Sequence, residues 1–195
     1  MTTTVLVGNP RPNSRTATAA LATARHAARA AGLSTEPGRG DLLELSDLQP
    51  LLLTPGPPLD VQAALERIRA SELLVVASPT YKATYTGLLK VFLDLLPSGG
   101  LGGVTAVPVL VMGSPAHTLA VDVHLRPLLL ELGASVPTSG LALLQDTVTT
   151  EGTDSPGLEE VLRPWAERSA PALRAALNPR STTVPPLPDP SGRIR

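Results

Sequence analysis

The chain has no cysteine. That excludes a thiol nucleophile, Cys-ligated zinc, an iron–sulfur cluster and any disulfide, so redox chemistry would need a borrowed cofactor. Charge of either sign is scarce: 17% of residues are charged and the net charge is −1, which leaves no basic field to hold a nucleic acid or an anionic membrane. A small molecule is the expected partner. Long hydrophobic runs are missing as well. The longest, Ala106 to Met112, is interrupted by Pro108 and is far below the ~20 residues of a membrane-spanning helix. The opening Met1-Thr2-Thr3-Thr4-Val5-Leu6-Val7-Gly8 has no basic segment and an apolar core of only Val5 to Val7. A signal peptide needs more, so a cytoplasmic protein is expected. Aromatic residues are the rarest class, with one Trp, two Tyr and one Phe.

What remains is rich in Ala and Leu and alternates regularly. Short apolar or β-branched runs, read as strands, occur at Thr3 to Val7, Leu42 to Leu45, Leu73 to Ala77, Val104 to Met112 and Ser135 to Leu144. Helices are expected over Ser14 to Ala31, Leu59 to Ala70, Thr86 to Leu95, Ala116 to Leu132 and Gly157 to Leu177. Strands that read as continuous apolar runs belong to a parallel sheet covered on both faces. The expected fold class is therefore α/β, a flavodoxin-like doubly wound sheet of five parallel strands with helices on both sides. Gly32, Gly133 and Pro97-Ser98-Gly99-Gly100 fall where helical patterns stop, as C-caps or turns do. One domain is expected over residues 1–177. From Asn178 onward there are five prolines and no periodicity, which predicts an extended or disordered tail over 178–195.

Two segments attract attention on chemical grounds. Three of the four aromatic residues, Tyr81, Tyr85 and Phe92, lie within or just after Pro79-Thr80-Tyr81-Lys82-Ala83-Thr84-Tyr85-Thr86-Gly87-Leu88-Leu89-Lys90, directly behind the third strand. Two phenols and an ammonium at a strand end suit a flat ligand with polar edges; plain packing at a helix start is the alternative. After the first strand comes Gly8-Asn9-Pro10-Arg11-Pro12-Asn13-Ser14-Arg15-Thr16, followed at once by an Ala-rich helix. A helix N-terminus offers free N–H groups and partial positive charge, and Ser14, Thr16, Arg11 and Arg15 would add donors for a phosphate. Ser14 alone would equally serve as a cap. In a doubly wound sheet ligands lie beyond the C-terminal strand edges at the switch point, where both segments and the Gly113-Ser114 turn fall.

These segments together resemble the NADPH-dependent FMN reductase family, in particular the small reductases that feed reduced flavin to sulfonate monooxygenases. The likeness runs from about Val5 to Leu144 and is most specific at Pro79 to Lys90, Leu93-Asp94-Leu95-Leu96-Pro97, Ala116-His117, Leu119-Ala120-Val121-Asp122 and Arg126-Pro127. The resemblance implies FMN as cofactor, with NADPH or NADH as hydride donor. It implies that Arg11, Ser14, Arg15 and Thr16, beside Asn9, hold the FMN phosphate. Pro79, Thr80, Tyr81, Lys82 and Ala83 would border the ring, and Gly113, Ser114 and His117 would approach its other edge. It also implies a homodimer or homotetramer and a flavin-dependent monooxygenase as partner. The chain departs from the family pattern at Asn9, where relatives have Ser, and at Val111-Met112-Gly113, where they have Thr-Gly-Gly. Sulfonate-type relatives often carry an aromatic residue at the position of Val123, at a π-bulge linked to tetramer packing and flavin release; here Val123-His124 stands there.

No protein acid or base is expected, because hydride transfer between cofactors needs orientation and no catalytic side chain. His26 reads as a solvated helix residue, and Asp41, Glu44 and Asp47 as solvated carboxylates without metal-ligand spacing. Asp94 and Asp122 sit singly in apolar helices and suggest ion pairs or helix-end contacts. Two other readings compete: a reductase of quinones, azo dyes or metal ions that keeps FMN bound, and a non-enzymatic flavodoxin-like electron carrier. The carrier is disfavoured by near-neutral charge. A receiver-type signalling domain would need an acidic pocket, and the strand ends Gly8-Asn9-Pro10 and Ser78-Pro79 lack one.

Overall fold

The computed structural model describes residues 1–148 and 156–177; the expected tail at 178–195 lies outside them. Five strands, β1 (Thr3–Val7), β2 (Leu42–Glu44), β3 (Leu73–Pro79), β4 (Thr105–Met112) and β5 (Leu141–Leu144), form one sheet in the order β2-β1-β3-β4-β5. Every pairing is parallel. All residues of β3 and β4 are buried, which explains why their sequences read as unbroken apolar runs. Pro108 is tolerated in β4 because the β4–β5 ladder begins just beyond it, at Val109 opposite Leu141.

Helices α1 (Arg15–Ala31) and α5 (Pro156–Leu177) cover one face, packing Ala20, Ala24, Leu162 and Trp165 against Val5, Val75 and Val109. The other face is covered by α2 (Leu59–Arg69), α3 (Gly87–Leu93) and α4 (Arg126–Glu131), which bury Ile68, Phe92 and Leu129 over Leu6, Leu74 and Leu110. Ser14 caps α1 by accepting from the Ala17 N–H, and Gly32 closes it in the left-handed conformation at φ 77.

Two expected elements come out differently. The helix expected over Ala116 to Leu132 is three pieces: a 3-10 turn at Pro115–His117, a π-helical turn at Val121–Leu125, and α4. Pro115 sits at the start of the first piece, where a missing N–H costs nothing, and Pro127 follows the π turn directly. The wide turn between them turns Val123 and His124 outward while Val121 and Leu125 stay buried. The last strand starts at Leu141 and not at Ser135. Ser135 makes only an isolated bridge to Thr105, and Pro137 and Gly140 interrupt the stretch between. That stretch is gripped from the helical side: Arg126 donates to the carbonyls of Val136 and Thr138, and Asp122 accepts from the Gly140 N–H.

Candidate functional site

The strand order reverses between β1 and β3, so the loops that leave those two strands flank the crevice where an open parallel sheet binds its ligands. The β1–α1 loop is built from its own side chains. Asn9, 7% exposed, donates from its amide to the Thr16 hydroxyl at 3.0 Å and accepts from the Arg11 N–H at 3.0 Å. Asn9 and Thr16 thus form a buried brace under an exposed rim of Arg11, Pro12, Asn13 and Arg15. The first turn of α1 directly behind the rim leaves N–H groups without intrahelical partners, as every helix start does. No acidic residue occupies that turn, and the local field favours an anion.

The β3–α3 segment is built from backbone. Tyr81 and Thr84 exchange main-chain hydrogen bonds at 2.9 and 3.2 Å, and the two residues between them, Lys82 and Ala83, have φ of 52° and 67°. Positive φ at both central positions is the type I′ hairpin pattern, which Asn-Gly fills without strain and Lys-Ala does not. The Thr80 N–H donates to the Val111 carbonyl at 2.8 Å, tying the turn to the end of β4. Its hydroxyl, Thr80 Oγ1, is buried and has no protein partner, a state that costs about 1 to 3 kcal/mol until a partner arrives. Strain and an orphaned polar group together mark this turn as part of a ligand site.

The two segments are joined. Thr86 caps α3 by accepting from Leu89 N–H, and its hydroxyl donates to the Gly8 carbonyl at 2.6 Å. Ser78 Oγ accepts from the Thr86 N–H at 3.0 Å. Gly8 is required by closeness: a Cβ there would stand 2.6 Å from Leu89 Cβ. On the far side, Ser114 caps the 3-10 turn, and Gly113 is exposed beside the Gln145 amide. Met112, where the resemblance leads one to expect glycine, is 4% exposed, buried rather than standing over the site. Ala83, Ala116, His117, Leu119, Ala120, Val123 and His124 line a cavity of about 200 Å³. The structure therefore brings Ala83 and His117 together from opposite sides of the crevice.

Of the two lysines, Lys90 pairs with Asp94 one turn along α3, whereas Lys82 makes no ion pair among the described residues. Glu44, whose sequence context suggests a solvated carboxylate, is instead half-buried at the end of β2 and accepts the Asn13 N–H at 3.0 Å. Burial pushes its carboxyl above the usual value, with Asp47 adding to the rise while the Asn13 bond and Arg39 oppose it. Thr86, Gln145 and Glu44 were not singled out from sequence as site residues. Only the cap position of Thr86, three residues before Leu89, carried a readable signal. A larger cavity, about 360 Å³, opens at the opposite sheet edge among Met1 to Thr4, Asp41 and Arg67. Its charged groups are already used, Arg67 on the Gly40 and Leu42 carbonyls and Asp41 on the Gly38 N–H, and the Thr2 hydroxyl donates to the Ala70 carbonyl. The switch-point crevice, with its unmet donors, is the better candidate. Among the described residues no group of three His, Asp or Glu is placed to hold a metal, and no helix is long and apolar enough to cross a membrane.

Comparison with known proteins agrees with this geometry. Over 122 residues the chain is 34% identical to the FMN reductase (NADPH) of Escherichia coli, a match covering 63% of each protein. It is 34% identical over 148 residues to the NADH-dependent FMN reductase SfnF of Pseudomonas fluorescens, covering 73% of this chain and 79% of that one. The crystal structure of the NADH:FMN oxidoreductase EMOB in its apo form superposes with a TM-score of 0.68 at 30% identity, over 88% of this chain and 89% of that one. The family model of the NADPH-dependent FMN reductases matches residues 1–147, the whole sheet and both crevice loops, and the chain belongs to that family.

Proposed function

We propose that the protein is an NAD(P)H-dependent FMN reductase: it binds FMN at the switch-point crevice, supports hydride transfer to it from NADPH or NADH, and supplies reduced flavin to a partner monooxygenase. The observation that carries this reading is the complementary pair of loops. One end offers an acid-free helix start rimmed by Arg11 and Arg15; the other offers an unpartnered Thr80 hydroxyl on a strained turn. That pairing fits a molecule with a phosphate at one end and a flat hydrogen-bonding ring at the other.

Arg11, Ser14 and Arg15 would hold the phosphate, with Asn9 and Thr16 bracing the loop from beneath. Pro79, Thr80, Tyr81, Lys82 and Ala83 would border the ring, Thr80 Oγ1 meeting a polar edge atom and the Lys82 ammonium placing positive charge nearby. Gly113, Ser114 and His117 would close the other side. FMN, when bound, supplies the hydride-accepting ring system; the chain supplies orientation, charge and exclusion of water, and no side chain is needed as acid or base. Leu119 and Val123, 73% and 60% exposed beside the cavity, support self-association through this face, since apolar side chains clustered at such a rim mark interaction surfaces. The cytoplasm is the compartment proposed.

The test is a visible spectrum of the purified protein after gel filtration, followed by NADPH and NADH oxidation with and without added FMN. Colourless protein whose turnover requires and saturates with FMN is the expected result. Yellow protein with stoichiometric FMN that turns over only with a quinone or dye would replace flavin supply with a prosthetic-flavin reductase. No flavin binding would end the reading.

A further inference from the structure

The β1–α1 loop reaches its helix through Asn13, which has φ of 50°. Asn tolerates this left-handed conformation better than other side-chain-bearing residues, but still at a cost, so something must hold it. The holder is on a different strand. Glu44 is the last residue of β2, in register with Val7 at the end of β1, so its carboxylate stands level with the loop's departure point. From there it accepts the Asn13 N–H at 3.0 Å. Arg39, in the 3-10 turn before β2, reaches the Asn13 side-chain oxygen at 3.5 Å. Asn13 is thus fixed from the β2 side, and the next residue is Ser14, the cap of α1.

We infer that Glu44 is a positioning residue for the phosphate loop: by holding the Asn13 N–H it presets the left-handed turn that aims Ser14 and the α1 N-terminus at the flavin phosphate. The inference rests on the proposed reading of this loop as the phosphate site. A negative charge near a phosphate would ordinarily weaken binding. Here one carboxylate oxygen is engaged by a main-chain donor and Arg39 lies close enough to offset part of the charge, so the contribution inferred is to loop geometry, and Glu44→Gln separates it from charge. Gln offers an amide oxygen in the same place, whereas Ala offers nothing.

The test is equilibrium binding of FMN and of riboflavin, which lacks the phosphate, read by flavin fluorescence for wild type, Glu44→Ala and Glu44→Gln, with thermal unfolding of each flavin-free protein. Glu44→Ala should weaken FMN about five- to tenfold, the size of the net contribution of one ordinary hydrogen bond lost from the loop. Riboflavin affinity should stay within about twofold, and Glu44→Gln should stay within about twofold of wild type for both ligands, as expected when the acceptor is retained. If both variants bind FMN more tightly, Glu44 is a repelling charge and the inference is overturned. Unchanged FMN affinity in Glu44→Ala overturns it too. Equal loss of FMN and riboflavin would show a general structural role instead. Wild type that does not prefer FMN to riboflavin would refute the phosphate-loop reading itself, and the inference with it.

Discussion

The two loops of the crevice are held in place by opposite means. The β1–α1 loop is secured by side chains: Asn9 to Thr16, Asn9 to Arg11, Glu44 to Asn13. Its buried side chains are paired, the first N–H groups of α1 behind it are open, and its rim is cationic. The Tyr81–Thr84 turn is secured by backbone, with strain at Lys82 and Ala83 and an unmet Thr80 hydroxyl. On the proposed reading, the first loop is an anion site braced in advance by its own side chains, and the second is a turn whose cost a ligand would offset. Affinity for a phosphate should therefore depend on named side chains, whereas stability of the ring turn should depend on conformation.

The largest effect expected tests the side-chain half. If Arg15 meets the phosphate as proposed, Arg15→Ala removes one charge-assisted contact and should weaken FMN by about 1.5 to 3 kcal/mol, measured by fluorescence titration, with riboflavin little affected. Unaltered FMN affinity would take Arg15 out of the site. Next comes the joint between the halves. Thr86→Ala removes the α3 cap and the bond to the Gly8 carbonyl and should cost about 1 to 2 kcal/mol in denaturant unfolding. The backbone half is tested by Ala83→Gly, where Gly accepts positive φ freely. A gain of about 0.5 to 1 kcal/mol is expected, and a loss instead would mean that the turn is not strained. The smallest effect concerns acid. Burial raises the Glu44 carboxyl above its ordinary 4.5, so the folded state binds that proton more tightly than the unfolded chain. Its favourable contribution is complete below the unfolded value and is lost as pH rises through the raised folded one. Glu44→Gln should accordingly gain in melting temperature relative to wild type as pH goes from about 4 to 7; parallel curves would show that Glu44 is as solvated as the sequence suggested.

Much of this was legible in the chain. Continuous apolar runs gave five parallel strands in the expected class, and Ser14 and Gly32 bounded α1 as cap residues do. The broken helix after Ser114 was not legible in the apolar spacing, because Val121, Leu125 and Leu129 satisfy a π turn and an α-helix alike; only the resemblance, with its π-bulge at the Val123 position, pointed to the turn at Val121–Leu125. The late start of β5 turned on Pro137 and Gly140, which outweighed an otherwise apolar stretch. Glu44 was missed for a different reason. Its partner is a main-chain N–H on a neighbouring strand's loop, and no spacing in the sequence records which carbonyls or N–H groups a fold leaves unpaired.

The scarcity of rings has one more consequence, now that their places are known. The single Trp, Trp165, is buried in α5 on the α1 face, its indole N–H donating to the Ser139 carbonyl at 3.3 Å. Tyr81 and Tyr85 sit in the crevice segment, and Phe92 is buried on the opposite face. Excited in the near ultraviolet, the molecule therefore has one dominant emitter, fixed where the last helix meets the strand before it. Its emission reports whether α5 is docked, while a bound flavin absorbs and emits at longer wavelengths from the sheet edge. A single unlabelled sample thus carries two optical reporters, flavin absorption for occupancy and, in the flavin-free protein, Trp165 emission for docking of α5, with energy transfer linking them once flavin binds.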